Sequence, residues 1–353
     1  MTDGTSAYSE AIRRRFPWKA LADTPTPVDR HAALAEEFGA RSVWIKRDDI
    51  SGVEHGGNKV RKLEFLLADA LQRGCRGVVT YGAVGSNHIL STALFARQLG
   101  LECVGIVRPQ PPTPYVEKTL RHHLLLGTRL ESAGSPQETK AIRSRLPGGN
   151  SAWYEIPLGG SSPLGSLGYV CAALELAEQV ARGLCPAPDL IYLPCGSSGS
   201  AVGLDFGVAL AGLPSRIVAA WVVTSQMTSK KKAVALAGNL RSLLDGICPP
   251  PGGGALERVE LREEFLGDGY ALPSGAALEA IEWMKSKAGT RLEYTYSGKA
   301  AAALLHDGRN GRFRGLNVMF WNTYNSRPPL SGLPSLRRED LPGILQESLP
   351  AGP

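Results

Sequence analysis

A lysine behind a pair of glycines is the residue of this sequence with the clearest potential for chemistry. Lys59 ends the segment 56–59 (GGNK), directly before a predicted helix. The helix dipole disfavours a positive charge in the first turn, where Asp or Glu is the ordinary choice. A lysine whose pKa is lowered by burial or by nearby positive charge is a good Schiff-base nucleophile. Taken alone, however, the segment favours a solvated lysine in a basic cluster with Arg61 and Lys62.

Two further glycine-rich segments, 82–88 (GAVGSNH) and 195–200 (CGSSGS), each follow a predicted strand and precede a predicted helix. In the segment 195–200, free backbone N–H groups at a helix N-terminus and serine hydroxyls would form a phosphate cradle. The segment has neither the P-loop lysine nor the G-x-G-x-x-G spacing, and an ordinary strand-to-helix turn explains it equally well. Cys195 is a possible nucleophile, but a small buried residue is the favoured interpretation, because no partner histidine is identifiable.

The elements that must position these segments alternate between short apolar runs and amphipathic stretches. The runs predict buried strands at Val43–Lys46, Gly77–Tyr81, Glu102–Val107, Asp189–Leu193, Arg216–Val223 and Leu316–Phe320. The stretches predict helices at Lys59–Leu71, Asn87–Leu99, Pro114–Leu126, Leu164–Val180, Gly199–Ala211 and Ser274–Lys285. This alternation is typical of an α/β fold with parallel sheets, in which ligands bind beyond the carboxyl ends of the strands.

Taken together, these segments resemble those of the D-cysteine desulfhydrase / 1-aminocyclopropane-1-carboxylate deaminase family. The first matching segments are 45–49 (IKRDD), 56–64 (GGNKVRKLE) and 86–88 (SNH). Others are 159–165 (GGSSPLG), 168–170 (GYV), 196–200 (GSSGS) and 296–300 (YSGKA), and the resemblance covers residues 20–326 in order and spacing. It implies a pyridoxal-phosphate enzyme of fold type II, the fold of the tryptophan synthase β subunit. Such an enzyme has two open, twisted, mainly parallel sheets flanked by helices.

The resemblance also implies roles for individual residues. Lys59 is expected to form the Schiff base with the cofactor and then to take the proton from the substrate Cα. Asn87 is expected to hydrogen-bond the ring hydroxyl of the cofactor, and Ser86, Asn87 and His88 to lie by the substrate carboxylate. The backbone of five residues is expected to hold the phosphate: Gly196, Ser197, Ser198, Gly199 and Ser200.

Two tyrosines, Tyr270 and Tyr296, match active-site tyrosines of the family. Each has an alternative interpretation as a half-buried packing ring, and for Tyr270 that alternative has nearly equal support. His88 likewise has an alternative as a structural hydrogen-bonding histidine, and this is the favoured of its two interpretations.

Neutral hydroxyls at two positions separate this sequence from the cyclopropane-opening members of the family. Those members resemble Tyr-Glu-Gly-Lys at positions 296–299 and carry a second acidic residue after the last strand, whereas this sequence has Ser297 and Thr323. A hydroxyl beside the pyridine nitrogen stabilises a long-lived carbanion less than a carboxylate does, which disfavours racemisation and transamination. We therefore expect α,β-elimination on a small β-substituted amino acid such as D-cysteine, giving pyruvate, ammonia and a leaving group such as sulfide.

The segment after the last core strand departs from the family pattern. Residues 321–326 (WNTYNS) stand where the family usually has His-Thr-Gly-Gly, so that Tyr324 and Asn325 replace the two glycines. Tyrosine adopts a positive φ poorly, so we expect a changed loop path or a bulky ring near the substrate, with Tyr324 as a substrate-binding residue. The alternatives are a β-replacement or deaminase enzyme of a specialised biosynthetic pathway, and a catalytically silent protein that keeps the fold.

The composition bounds the remaining possibilities. The chain has 353 residues, and its 39 Lys and Arg exceed its 33 Asp and Glu by six without one concentrated run, which predicts no nucleic-acid partner. The longest aliphatic-rich run, Ile217–Val223, is too short to span a membrane. The six cysteines lack metal-binding spacing, so we expect no metal site and a reduced, cytoplasmic protein.

Domain organisation and assembly are expected by resemblance alone. The large cofactor-binding domain would comprise residues 1–59 and 166–353, and the small domain residues 60–165, with the cofactor in the cleft between them. A homodimer is expected on the same ground.

Overall fold

A computed structural model describes residues 2–224, 228–249, 256–341 and 345–346. These residues group into two compact units. Unit 1 takes its described residues from the ranges 1–16, 22–62 and 161–327, and unit 2 from 17–21, 63–160 and 328–353. The predicted domains instead place 17–21 and 328–353 in the large domain, and as functional domains they stay a prediction.

Strands and helices alternate along most of the described chain. The strands are β1 (Val28–Arg30), β2 (Ser42–Lys46), β3 (Gly77–Ala83), β4 (Glu102–Arg108), β5 (Arg129–Ser132), β6 (Trp153–Ile156), β7 (Leu190–Cys195), β8 (Arg216–Trp221), β9 (Val259–Arg262) and β10 (Asn317–Trp321). The helices are α1 (Thr2–Arg15), α2 (Ala32–Phe38), α3 (Asn58–Gln72), α4 (Asn87–Gln98), α5 (Pro114–Leu126), α6 (Pro136–Ser144), α7 (Pro163–Ala181), α8 (Gly199–Leu210), α9 (Lys230–Leu243), α10 (Gly275–Ala288) and α11 (Ser297–Arg309).

Unit 1 is built on a six-stranded sheet in the order β1-β2-β10-β7-β8-β9. Only the β1–β2 pair is antiparallel within this sheet. Successive residues of β10 face opposite sides: Val318 and Phe320 pack with helices α10 and α11, whereas Met319 and Trp321 pack with α7 and α8. A parallel sheet covered on both faces requires continuous apolar strands, which is the pattern that the sequence shows.

Unit 2 contains a four-stranded sheet in the order β5-β4-β3-β6, and all of its pairs are parallel. The glycine-rich segment 82–88 includes the end of β3 and the start of α4. The fold therefore places this segment at the carboxyl end of a central strand, where parallel α/β sheets bind ligands.

The six predicted strands and six predicted helices are all confirmed, with small shifts at their ends. Of the strands that the sequence analysis did not identify, all four are edge strands of three or four residues: β1, β5, β6 and β9. Their residues are mostly half-buried or exposed. Edge strands lack the continuous apolar run of a central strand, so they gave no signal.

A buried charge network fixes the start of α3 within unit 1. The Arg61 guanidinium binds Asp48 at 2.8 Å and Glu175 at 2.9 Å, and Lys46 also donates to Glu175. Burial alone would raise the pKa of Glu175, but the positive charges of Arg61 and Lys46 lower it to about 2. These ion pairs hold the start of α3, helix α7 and the short 3-10 turn at Asp48 in one arrangement around β2.

We expect Arg61→Met to reduce the free energy of unfolding by about 3–5 kcal/mol, because it leaves buried carboxylates without their partner. Urea denaturation followed by circular dichroism measures this change. The control is Arg309→Ala, which removes an ion pair with Glu279 whose side chains are about half exposed and should cost less than about 1 kcal/mol. Equal effects of the two substitutions would contradict the network's role.

Candidate active site

Lys59 lies in the first turn of α3, and its side chain is half-buried. Its Nζ donates to Asn58 Oδ1 at 3.0 Å. Burial lowers the pKa of Lys59 to about 8. A much larger fraction of this amine is therefore uncharged near neutral pH than for an exposed lysine, as a nucleophilic lysine requires.

Asn58 connects three of the candidate segments. Its side chain donates to Ser200 Oγ at 3.0 Å, its backbone N–H donates to the Thr323 carbonyl at 3.2 Å, and its side-chain oxygen accepts from Lys59. In the sequence, Asn58 stands out only as part of the GGNK motif, beside the lysine. Its role as a connector could not be predicted, because Ser200 and Thr323 lie more than a hundred residues away in the chain.

The segment 196–200 forms a concave turn at the N-terminus of α8. Gly199 N–H donates to Ser161 Oγ at 3.1 Å, and Ser161 Oγ is 2.8 Å from Ser197 Oγ. Ser198 has a φ of 68°, a conformation that residues other than glycine seldom adopt and that is often found at functional sites. A Cβ at Gly199 would lie 2.5 Å from Ser161 Oγ, so only glycine fits at this point.

Lys62 also lies at this turn. It follows Lys59 by three residues in α3 and is only 1% exposed, so the predicted solvated basic cluster is wrong for Lys62 and for the equally buried Arg61. The Lys62 Nζ donates to Ser161 Oγ at 3.1 Å and would be 2.9 Å from a Cβ at Gly199. Burial, and secondarily the charge of Lys59, lower the pKa of Lys62. The i, i+3 spacing places both lysines on one face of α3. This spacing in the sequence is the pattern that could have predicted Lys62 as a second residue of the site.

The two candidate tyrosines form a pair. Their hydroxyl oxygens are 2.7 Å apart, and their rings meet nearly edge to face, with centroids 5.9 Å apart. A Cβ at Gly196 would lie 3.3 Å from Tyr296 Cε1, so the Tyr296 ring lies against the beginning of the segment 196–200. Burial raises the pKa of Tyr270, which keeps its hydroxyl protonated.

Ser297 has a carboxylate directly behind its hydroxyl. Its Oγ accepts from the Glu293 N–H at 3.0 Å and donates to Glu293 Oε1 at 3.1 Å, and the residue is fully buried. Glu293 also accepts from the backbone N–H groups of residues 295–297, so it caps α11. Only the neutral hydroxyl could be predicted from the matching motif, because Glu293 precedes that motif in the sequence.

The loop after β10 carries the two other candidates from the C-terminal part of unit 1. Thr323 is buried, and its carbonyl faces the Lys59 loop through the hydrogen bond to Asn58. Tyr324 is half-buried, and burial, followed by the negative charge of Glu293, raises its pKa. The Tyr324 hydroxyl therefore lies within electrostatic reach of the acid that binds Ser297. Its role toward a substrate stays a prediction.

Ser86, Asn87 and His88 belong to unit 2. Ser86 is the N-cap of α4 and accepts from Ile89 N–H at 3.4 Å, and Asn87 is half-buried in the first turn. His88 is buried, and its Nε2 is 2.9 Å from Thr80 Oγ1. Thr80 donates its one proton to the Ile156 carbonyl, so His88 Nε2 carries a proton and donates it. This contact supports the structural interpretation of His88, and a site shared by these residues with Lys59 stays a prediction.

Cys195 is 2% exposed, and burial raises the pKa of its thiol to about 11, which supports the interpretation as a small buried residue.

Across the described ranges there is no group of three or more His, Cys, Asp or Glu side chains placed to hold a metal. Nor does any described helix have the length and apolarity needed to cross a membrane.

Comparison with known proteins gives consistent relatives. A family model for pyridoxal-phosphate dependent enzymes matches residues 19–323. The chain is 34% identical over 309 residues to the D-cysteine desulfhydrase of Salmonella paratyphi B, covering 85% of this chain and 90% of that protein. A solved structure of an ACC deaminase homologue aligns with a TM-score of 0.78 and 30% identity over 91% of this chain and 95% of its own. The L-serine ammonia-lyase of Rhizomucor miehei shares the fold, with a TM-score of 0.60 and 18% identity over 88% of this chain and 96% of its own.

The residues of unit 1 fit pyridoxal phosphate. The Lys59 amine has the lowered pKa that suits attachment of an aldehyde. The turn at Gly199, which a Cβ would fill, combines a helix N-terminus with the Lys62 amine, and both groups can donate hydrogen bonds to a phosphate. The chain belongs to the pyridoxal-phosphate-dependent enzymes, in the D-cysteine desulfhydrase and ACC deaminase family, and has fold type II.

Proposed function

We propose that this enzyme is a lyase that catalyses α,β-elimination on a small β-substituted amino acid such as D-cysteine. The products would be pyruvate, ammonia and a leaving group such as sulfide. The observation that carries the proposal is the lysine of lowered pKa joined through Asn58 to the turn at the N-terminus of α8. The D-cysteine desulfhydrases among its relatives support this choice of substrate.

Lys59 is proposed to attach the cofactor and to act as the base. Pyridoxal phosphate, when bound, supplies an electron sink conjugated to the substrate Cα. The uncharged Lys59 Nζ would take the Cα proton, and Asn58 Oδ1, which already accepts from Nζ at 3.0 Å, would keep the amine oriented. An amine with a pKa of about 8 is close to the operating pH, where a general base is most effective.

The phosphate is proposed to bind at the N-terminus of α8. The backbone of residues 196–200 would donate to it, together with the hydroxyls of Ser161 and Ser197 and the ammonium of Lys62. The helix terminus and Lys62 Nζ lie side by side here. Burial lowers the pKa of Lys62, and an anion bound between these two groups would favour the charged form of the amine.

Other residues are proposed to place the substrate and the cofactor ring. Tyr296 would face the substrate, with its hydroxyl fixed by Tyr270. Asn87 would bind the ring hydroxyl, while Ser86, Asn87 and His88 would lie by the substrate carboxylate, which the N-terminus of α4 suits electrostatically. Ser297 and Thr323 are proposed as the neutral groups at the pyridine nitrogen. A cytoplasmic location is proposed from the cysteine usage, and a homodimer is proposed from the family resemblance.

A second candidate function is β-replacement, in which a nucleophile adds after the leaving group departs. The specific observation in its favour is the half-buried Tyr324 ring at a position where the family usually has glycine. Such a ring changes the volume available for a second reactant. Pyruvate release in the absence of any added nucleophile separates elimination from replacement.

We expect Lys59→Ala to lose both the visible absorption band of the bound cofactor and the release of pyruvate from D-cysteine, with turnover reduced by at least about 10³-fold. Spectra before and after addition of D-cysteine and of L-cysteine, with a pyruvate assay, measure this. Lys285→Ala, which alters a lysine whose side chain is 67% exposed, is the matched control. A Lys59→Ala protein that still forms the band and the product would refute the assignment. In the unsubstituted protein, a cofactor band without release of pyruvate would favour replacement over elimination.

The pKa of Lys59 predicts a pH dependence for cofactor attachment. Only the uncharged amine reacts, so the attachment rate of the cofactor-free protein should rise by about tenfold per pH unit below pH 8 and level off above it. Stopped-flow absorbance at several pH values measures the rate. A rise that continues to about pH 10, the range of an ordinary lysine, would contradict the lowered pKa.

We expect Lys62→Gln to weaken binding of pyridoxal phosphate by about 10- to 100-fold, because a hydrogen bond to a charged group contributes about 1.5–3 kcal/mol. Binding of pyridoxal, which lacks the phosphate, should change little. Absorbance titrations with both compounds, on Lys62→Gln and on Lys285→Gln, give the comparison. An equal loss of affinity for both compounds would show that Lys62 does not act on the phosphate.

A further inference from the structure

The loop that leads into Lys59 is held by a segment from the far end of the chain. We call residues 49–57 the lysine loop and residues 325–327 the clip. The lysine loop follows β2, and the clip follows β10, the neighbouring parallel strand. Both belong to unit 1. The clip includes one of the two positions at which this sequence departs from the glycines of its family.

The Asn325 side chain makes three hydrogen bonds. Its Oδ1 accepts from Gly56 N–H at 2.8 Å and from Arg327 N–H at 3.1 Å, and its Nδ2 is 3.0 Å from His55 Nδ1. Backbone N–H groups only donate, so the amide oxygen must face them and the amide nitrogen must face the histidine. His55 Nδ1 is therefore the acceptor, which fixes the orientation of both side chains.

The other clip residues bind carbonyl groups of the lysine loop. Arg327 donates from Nε to the Gly52 carbonyl at 2.7 Å and from Nη2 to the Ile50 carbonyl at 3.0 Å. Ser326 N–H donates to the Asp49 carbonyl at 3.0 Å. The clip thus contacts the lysine loop at both of its ends.

At the end of the lysine loop that precedes Lys59, Gly57 N–H donates to the Asp48 carbonyl at 2.7 Å and the Gly57 carbonyl accepts from Ser51 Oγ at 2.9 Å, whereas the middle of the loop is open to solvent. Val53 is 76% exposed. A Cβ at Gly56 would lie 2.1 Å from the Asp49 carbonyl oxygen, and a Cβ at Gly57 would lie 2.9 Å from that of Thr323. Gly57 also has a φ of 98°. The close backbone packing forbids side chains at these two positions. Ser51 binds the carbonyl of Gly57 from within the loop, and the side chain that binds Gly56 N–H is that of Asn325 in the clip.

We propose that Asn325 is a positioning residue for Lys59, holding the end of the lysine loop through Gly56 and His55. The inference rests on the proposed function, because it treats Lys59 as the reactive lysine. Asn325 acts through Gly56, which precedes Lys59 by three residues, and it touches no reacting atom. In members of the family with glycine here, the loop lacks this side-chain anchor.

The test compares Asn325→Ala with Asn325→Asp and with Asn239→Ala, a control at an exposed asparagine of α9. The alanine variant loses all three hydrogen bonds. The aspartate variant retains an acceptor for Gly56 and Arg327, and it accepts from His55 once Nδ1 carries the proton. Hydrogen exchange of the peptide 55–59, read by mass spectrometry on cofactor-free protein, reports on the loop independently of any cofactor chemistry.

We expect exchange in this peptide to be about tenfold faster in Asn325→Ala, and cofactor attachment and kcat to fall by about tenfold, with KM changing less. Asn325→Asp should recover most of each loss.

Unchanged exchange in Asn325→Ala would overturn the inference. Faster exchange with unchanged attachment and turnover would also overturn it, provided that Lys59→Ala is inactive. An active Lys59→Ala would instead show failure of the proposed function. If Asn325→Ala does not fold, Asn325→Ser is measured in its place.

Discussion

Parallel pairing of β10 between β2 and β7 is the constraint on which the candidate site depends. Because parallel strands end at the same edge of a sheet, the chain after β2, after β7 and after β10 must emerge together. These three exits carry the loop to Lys59, the turn at Gly199 and the segment from Thr323. Asn58, which binds both Ser200 and Thr323, is the point at which the three exits are joined by hydrogen bonds.

The same edge brings two lysine amines and a helix N-terminus close together. Lys59 and Lys62 lie one turn apart on α3, and the N-terminus of α8 points at the same turn. Burial lowers the pKa values of both lysines, and the charge of Lys59 further lowers that of Lys62. Burial of the two amines is unfavourable, whereas the ion pairs of Arg61 with Asp48 and Glu175 stabilise the start of the same helix. Helix α3 thus carries the proposed phosphate-binding residue Lys62, the reactive amine of Lys59 and the Arg61 side chain that fixes the position of the helix.

The departure from the family pattern after β10 has a concrete structural consequence. At position 325 the family usually has a glycine, whereas here the Asn325 side chain accepts a hydrogen bond from Gly56 N–H. A separate feature is Glu293, whose carboxylate lies one hydrogen bond behind the neutral Ser297 hydroxyl. The environment of Ser297 is therefore less neutral in the structure than its residue type indicates.

The sequence by itself determined the α/β alternation, the central strands and the segments of the candidate site, because continuous apolar runs and glycine-rich turns are local patterns. It could not reveal the short edge strands, such as β1 and β9, since half-exposed residues at a sheet edge lack such a pattern. It also missed Lys62, Glu293 and the clip. Burial of a lysine and the partners of Glu293 and Asn325 depend on segments brought together only when the sheet forms. Tertiary structure alone decides these features, because desolvation and hydrogen bonding are set by neighbours in space and not by neighbours in the chain.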